Sequence, residues 1–253
     1  MIRNKLIEGS VGKEKYFNWR GGEVSRVEGL SDAVFAFAIT LLVVSLEVPH
    51  TFTELMNTML GFFAFALCFA ILILIWYNHY IFFRRYGLVK PYTITLNSLL
   101  LFVIVFYIYP LKFLFSLLVS VFLNISTSSV SNLQITNSQM PDLMIIYSLG
   151  FFMIFFVLFL MYLHAYKNRD ELKLNHVEIV ITKNSLYEQI IYMGVAFLSI
   201  LLALPGNPQL TFWSGISYGL LGPLMGINGY LNNKRIKKIP PPYLKKSYLR
   251  LET

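Results

Sequence analysis

A single cysteine, Cys68, in a chain of 253 residues excludes an intrachain disulfide, and its place inside an apolar run argues against a thiol-based metal site. It reads as a small buried hydrophobe. Charged residues are scarce at 13%, which is too little polar surface to solvate a water-soluble domain of this length. Also missing are an HExxH pair, a Gly-rich phosphate loop and a nucleophile beside a base, and His50, His79, His164 and His176 have no metal-ligand spacing. No enzyme and no cofactor is expected. The opening stretch of residues 1–8 carries charges but no apolar run leading to a small-residue cleavage site, so no removable signal peptide is expected and the first membrane helix does the targeting.

What is present is apolar: 56% hydrophobic residues, 16% aromatic residues and a mean hydropathy of +0.61, a composition that uses lipid as solvent. A membrane span needs about 20 mostly apolar residues. Six stretches qualify, at about 33–48, 55–83, 92–122, 143–164, 186–204 and 210–231, the first extended backward through the more polar residues 26–32. The expected fold is an all-α membrane protein with six transmembrane helices. A cytoplasmic segment, 1–25, precedes the six-helix domain, 26–231, and a basic tail, 232–253, follows it.

The net charge of +8 suggests nucleic acid only where basic residues cluster on one soluble face, and here they lie between spans. Six precede the first span (Arg3, Lys5, Lys13, Lys15, Arg20, Arg26), three separate the second from the third (Arg84, Arg85, Lys90), four separate the fourth from the fifth (Lys167, Arg169, Lys173, Lys183), and seven follow the sixth. Lys112, toward the outer part of the third span, is the exception. Positive residues are retained on the cytoplasmic side, so both termini are expected there. The loop at 124–137, rich in Ser, Thr and Asn, is then external, and Asn124-Ile-Ser126 fits a glycosylation acceptor that matters only in a secretory compartment. The tail reads as a solvated end or as a surface attracted to anionic lipid, at about 1 kcal/mol per basic residue near the membrane. Gly215, Gly219, Gly222, Gly226 and Gly229 in the sixth span fit a small-xxx-small pattern, read as packing within or between subunits.

Ionisable residues at membrane depth need a partner, water or a function. Two places qualify: Arg26-Val-Glu-Gly-Leu-Ser-Asp32 at the inner end of the first span, and Trp76-Tyr-Asn-His-Tyr-Ile-Phe82 at the inner end of the second, with Asn97 near the inner end of the third. At about 100° per residue, Thr40, Leu41 and Val44 fall within about 60° of Phe37 and form one stripe. Ser31 and Asp32 fall about 120° and 140° away, toward neighbouring helices, where Trp76, Asn78, His79 and Asn97 are the available partners. Arg26 returns to the stripe at the cytoplasmic end, as a mouth residue or one side of a structural ion pair. Periodicity alone makes the stripe lipid-facing or core packing.

The segment Arg26-Val-Glu-Gly-Leu-Ser-Asp-Ala-Val-Phe-Ala-Phe-Ala-Ile-Thr-Leu-Leu-Val43 resembles the first-helix signature of the endosomal and lysosomal potassium channel family, especially its prokaryotic members. Trp76-Tyr-Asn-His79 with Phe82 resembles the family's Trp-x-x-His element, and Asn97-Ser-Leu-Leu-Leu-Phe102 with Pro110 its third helix. The resemblance implies a homotetrameric potassium-permeable cation channel in a bacterial plasma membrane, without the Thr-Val-Gly-Tyr-Gly filter, and with the first helix of each subunit around the pore. It places apolar constriction rings at Phe37, Leu41 and Val44 and a Thr ring at Thr40, the same stripe. Potassium, and other monovalent cations, would be what permeates, with no other cofactor. Two positions depart from the family pattern: Leu30 replaces the signature Phe, and Phe37 stands where Ile or Leu is usual. Four phenyl rings at Phe37 would either plug the axis or turn their faces to a cation. A narrow apolar constriction tends to dewet, so an ion passes only when its hydration is kept or replaced. Glu47 is either a concentrator of cations at the outer mouth or an interfacial helix-end residue.

Two rivals from other classes stand beside the channel. A proton-coupled secondary transporter would use Asp32 and His79 as its pair, and a non-conducting membrane scaffold would work through the basic loops. Midplane sites on broken helices are expected of the former, whereas Asp32 and His79 lie near the inner face.

Overall fold

The computed structural model describes residues 16–44, 50–123, 136 and 138–239, and among these the regular structure is entirely helical. In chain order the helices are α1 (Arg26–Val44), α2 (Phe52–Tyr86), α3 (Pro91–Leu123), α4 (Met140–Lys167), α5 (His176–Ala203), α6 (Pro208–Ile216), a 3-10 turn at Ser217–Leu220 and α7 (Leu221–Lys237).

Their starts follow from local chemistry. Ser25 and Glu28 open α1 reciprocally: the Ser25 amide donates to Glu28 Oε1 at 2.9 Å, and the Glu28 amide donates to Ser25 Oγ at 3.2 Å. Asn175 and Glu178 do the same for α5. Asn207 caps α6 by accepting from the Gln209 amide, with Pro208 in the first turn, where its missing N–H leaves nothing unsatisfied.

Four helices among the described residues are long and apolar enough to cross a membrane: 62–86 of α2, 91–117 of α3, α4 and α5. The other two expected spans take different forms. α1 has 19 residues and a polar first turn. The sixth is broken, and Pro223 is the physical reason. It has no N–H to give the Gly219 carbonyl, so the chain tightens into the 3-10 turn and restarts as α7 with Pro223 in its first turns. The fifth span also begins well before the apolar run at 186, because the polar residues Glu178, Thr182 and Ser185 are buried and hydrogen-bonded rather than solvated.

The core is centred on the α4–α5 pair, with α3 against α4 and the broken last span against α5. Phe151, Phe155 and Tyr192 stack through it, the last two with ring centroids 4.1 Å apart. Gly150 lets the Tyr107 ring lie on α4, since a Cβ there would stand 2.3 Å from the ring. A serine chain crosses the same region: Ser148 to Ser199 at 2.8 Å, Ser199 to Ser214 at 2.7 Å, and the Tyr218 hydroxyl onto Ser148 at 2.9 Å. It satisfies buried hydroxyls where lipid offers no partner. The glycines of the last span do not mediate close approach within the subunit: a Cβ at Gly219, Gly222, Gly226 or Gly229 would meet nothing within 4 Å. Among the described helices, α1 packs on α2 and α3 alone, at one side of the bundle.

Candidate functional site

α1 has two faces. Glu28, Ser31, Phe35, Ala38 and Leu42 recur at steps of three and four and are buried against α2 and α3. Arg26, Gly29, Leu30, Ala33, Phe37 and Thr40 share the opposite face and are exposed, Phe37 at 54% and Leu30 at 58%. Leu41 is half-buried at its edge. Of the stripe read from the sequence, Phe37 and Thr40 therefore lie on the uncovered face of the helix. The side chain of Val44 lies outside the described residues, and so does the whole of Glu47. Thr40 spends its hydroxyl proton on the Phe37 carbonyl at 2.7 Å, leaving oxygen lone pairs on the open face.

The buried face is pinned by a directed chain of hydrogen bonds. His79 Nε2 meets Asn97 Oδ1 at 2.8 Å, Asn97 Nδ2 donates to Ser31 Oγ at 2.9 Å, and Ser31 donates to the Val27 carbonyl at 2.8 Å. Since Asn97 Oδ1 can only accept, the imidazole carries its proton on Nε2. His79, Asn97 and Ser31 are each 2% exposed or less, so the chain joins α2, α3 and α1 in an interior with no water to replace a missing partner. Phe35 and Phe83 flank the imidazole, with centroids 5.7 and 4.8 Å away.

Asp32 anchors separately. Its Oδ1 accepts from Trp76 Nε1 at 2.9 Å on an exposed edge, with the Trp76 ring stacked on Tyr80. Asp32 and His79 thus bond different partners, and the direct pair that a proton-coupled transporter would use is not formed. Asn78, grouped with these partners from the sequence, does not reach α1. It donates to the Leu74 carbonyl of its own helix at 2.9 Å, and Gln189 and Tyr162 of α5 and α4 approach its side-chain and backbone oxygens at 3.4 and 3.2 Å. One step along α2 from His79 is about 100°, enough to turn Asn78 to the other side. Arg26 is exposed at the N-terminal end of the open face.

Sequence reasoning missed four contributors. Glu28 both caps α1 and lies 3.9 Å from Arg84. Ser25-x-x-Glu28 is the signal that could have found it. Lys112, the one exception in the charge distribution, donates to the Leu42 carbonyl in the last described turn of α1 at 3.1 Å. Arg20 and Glu178 hold the segment ahead of α1, with Asn175-x-x-Glu178 as the readable sign.

The fold and this site together define a multi-pass helical membrane protein whose first helix is anchored on one face and left open on the other. The family profile described as "Endosomal/lysosomal potassium channel TMEM175" matches residues 26–107, the stretch that carries the whole anchor from Arg26 to Asn97. A protein of Marivirga tractuosa named "Potassium channel" is 41% identical over 242 residues, covering 93% of this chain and 98% of its own length. "Potassium channel Cha6605_3372" of Chamaesiphon minutus is 35% identical over 96 residues, 35% of this chain and 47% of that protein. A crystal structure of the potassium channel MtTMEM175, a T38A variant in complex with a nanobody fusion, superposes with a TM-score of 0.76 at 42% identity, over 88% of this chain and all of that one. The chain belongs to the TMEM175 family, as a prokaryotic member.

Proposed function

We propose that the chain is a potassium-permeable channel, four copies of which surround an axis lined by the open faces of α1. The observation that carries this reading is the exposure of Phe37 and Thr40 on a helix whose other face is fixed by buried polar bonds. A helix facing only lipid would not need that rotational lock, whereas a helix presenting side chains to an ion path does. Family membership and the channel relatives support the same assignment.

In this arrangement Phe37 forms the narrowest ring, Leu41 and Val44 continue the apolar lining outward, and Thr40 offers oxygen to the passing ion. Glu47 raises cation concentration at the outer end and Arg26 lies at the inner mouth. Both termini are cytoplasmic, following the basic residues, and the tail at 232–253 lies near anionic lipid. The membrane is the bacterial plasma membrane, and no cofactor is needed beyond the permeating ion.

Potassium flux into liposomes containing the purified protein tests this, with Phe37→Ala for comparison. Wild-type protein is expected to carry potassium, and Phe37→Ala to carry more with weaker discrimination against sodium. Absence of flux in both, with the protein folded and inserted, overturns it.

A further inference from the structure

Residues 16–25, immediately ahead of α1, have no helix of their own, and Phe17 to Gly22 are tied down at the inner end of the bundle. Phe17 is 3% exposed, edge-on to Tyr86, with the guanidinium groups of Arg20 and Arg85 at 5.7 and 5.2 Å from its ring. The Asn18 amide donates to Glu178 Oε1 at 2.9 Å and Arg20 Nη2 donates to Glu178 Oε2 at 2.7 Å, while Arg20 Nε donates to the Leu172 carbonyl at 2.7 Å. Glu178 is fully buried, and these contacts make up for the lost hydration of its carboxylate.

The same segment grips the end of α2. Arg20 and Gly21 both donate backbone N–H groups to the Arg84 carbonyl at 3.1 Å, one of the acceptors left over in the last turn of a helix. Arg84 returns the contact, its Nη1 donating to the Gly21 and Gly22 carbonyls at 3.1 Å, and its Nη2 lies 3.9 Å from Glu28 in the first turn of α1. Arg20 and Gly21 of one short strap, with Glu178, Arg84 and Glu28, therefore link α5, α2 and the start of α1. None of them lies on the open face of α1.

We infer that this strap is a latch that sets the position of the inner end of α1, and through it the width of the ring at Phe37, with Gly21 and Glu178 as positioning residues. The inference rests on the channel reading above. Its physical basis is that among the described helices α1 touches only α2 and α3, so its inner end has no other described restraint than the anchor and this strap. A change at the cytoplasmic end of α5 or in the loop at 168–175 would be transmitted to the pore helix through Glu178 and Arg20.

Two adjacent glycines separate this role from general stabilisation. A Cβ on Gly21 would stand 2.4 Å from the Phe83 carbonyl oxygen, a backbone atom that cannot swing away, so Gly21→Ala must lift the strap from α2. A Cβ on Gly22 would meet nothing within 4 Å. Neither glycine has a positive φ, so both substitutions change the unfolded chain alike and differ in this contact. Liposome potassium flux, the potassium-to-sodium ratio and hydrogen exchange at the amides of residues 26–32 are measured for wild type, Gly21→Ala and Gly22→Ala, with Arg20→Met as a second way to release the strap.

Gly21→Ala and Arg20→Met are expected to speed exchange in the first turns of α1 and raise flux by about fivefold or more, the lower end of typical site-to-site coupling, while Gly22→Ala stays at the wild-type level. Unchanged flux in both release variants, with the wild type conducting, overturns the inference, whether or not exchange speeds up. A larger effect from Gly22→Ala than from Gly21→Ala does so too. Absence of flux in the wild type and in Phe37→Ala instead removes the channel reading on which it rests.

Discussion

Asn97 is the residue on which the position of α1 turns, because it is the only member of the buried chain that both accepts from His79 and donates to Ser31. Replacing it with Leu keeps the volume but leaves the His79 Nε2–H facing a hydrocarbon side chain at a site about 1% exposed. An orphaned buried donor costs about 1–3 kcal/mol. Trp76→Phe removes a bond of similar length from Asp32, yet at an exposed edge where headgroups and water can serve the carboxylate. Thermal unfolding in detergent should therefore show a clear loss of stability for Asn97→Leu and a smaller one for Trp76→Phe. Equal losses would mean that burial does not set the cost. The polar partners themselves were legible in the sequence because ionisable and amide groups in an apolar run stand out. Which of them meets which was not: Trp76, Asn78 and His79 lie within one turn of α2, and a rotation of about 100° per residue sends Asn78 to α4 and α5 while Trp76 bonds Asp32 of α1 and His79 bonds Asn97 of α3.

At the scale of elements, the long helices were legible from apolar runs alone, since little else places such runs in a chain. Two features were not. The buried polar start of α5 was hidden because Glu178, Thr182 and Ser185 look like a solvated loop until their partners on α2 and the strap are known. The break in the last span was masked by glycines that suggested close packing, although Pro223 held the signal. Among the described residues, the glycine that allows close approach in the membrane core is Gly150, against the Tyr107 ring. Gly150→Ala should force α3 and α4 apart and destabilise by about 1–3 kcal/mol, as overpacking does. Gly194→Ala on α5, where a Cβ would meet nothing within 4 Å, should be neutral or slightly stabilising through helix propensity. Unfolding midpoints of the two variants check this, and a neutral Gly150→Ala would mean that Tyr107 moves aside at no cost.

For the whole molecule, the asymmetry of α1 makes the assembly testable with the chain's own chemistry. Cys68 is its single cysteine and is 1% exposed, so a cysteine introduced elsewhere is the reactive one. Ala33 lies on the open face of α1, and Ala38, at 0% exposed, lies on the face packed against α2 and α3. If four copies place their open faces around one axis, Ala33→Cys brings identical thiols close to one another across it, and a short bifunctional thiol cross-linker in native membranes should yield dimers and higher species up to four chains of 29.2 kDa. Ala38→Cys points each thiol into its own subunit and should yield none. The wild type, with Cys68 alone, sets the background. Cross-linking of Ala33→Cys that stops at two chains would mean a dimer with the open faces paired, and no cross-linking at all would mean that α1 faces lipid. In either case the anchor of Ser31, Asn97 and His79 would be fixing the rotation of a helix that lines no pore, and the channel reading would lose the geometry that supports it.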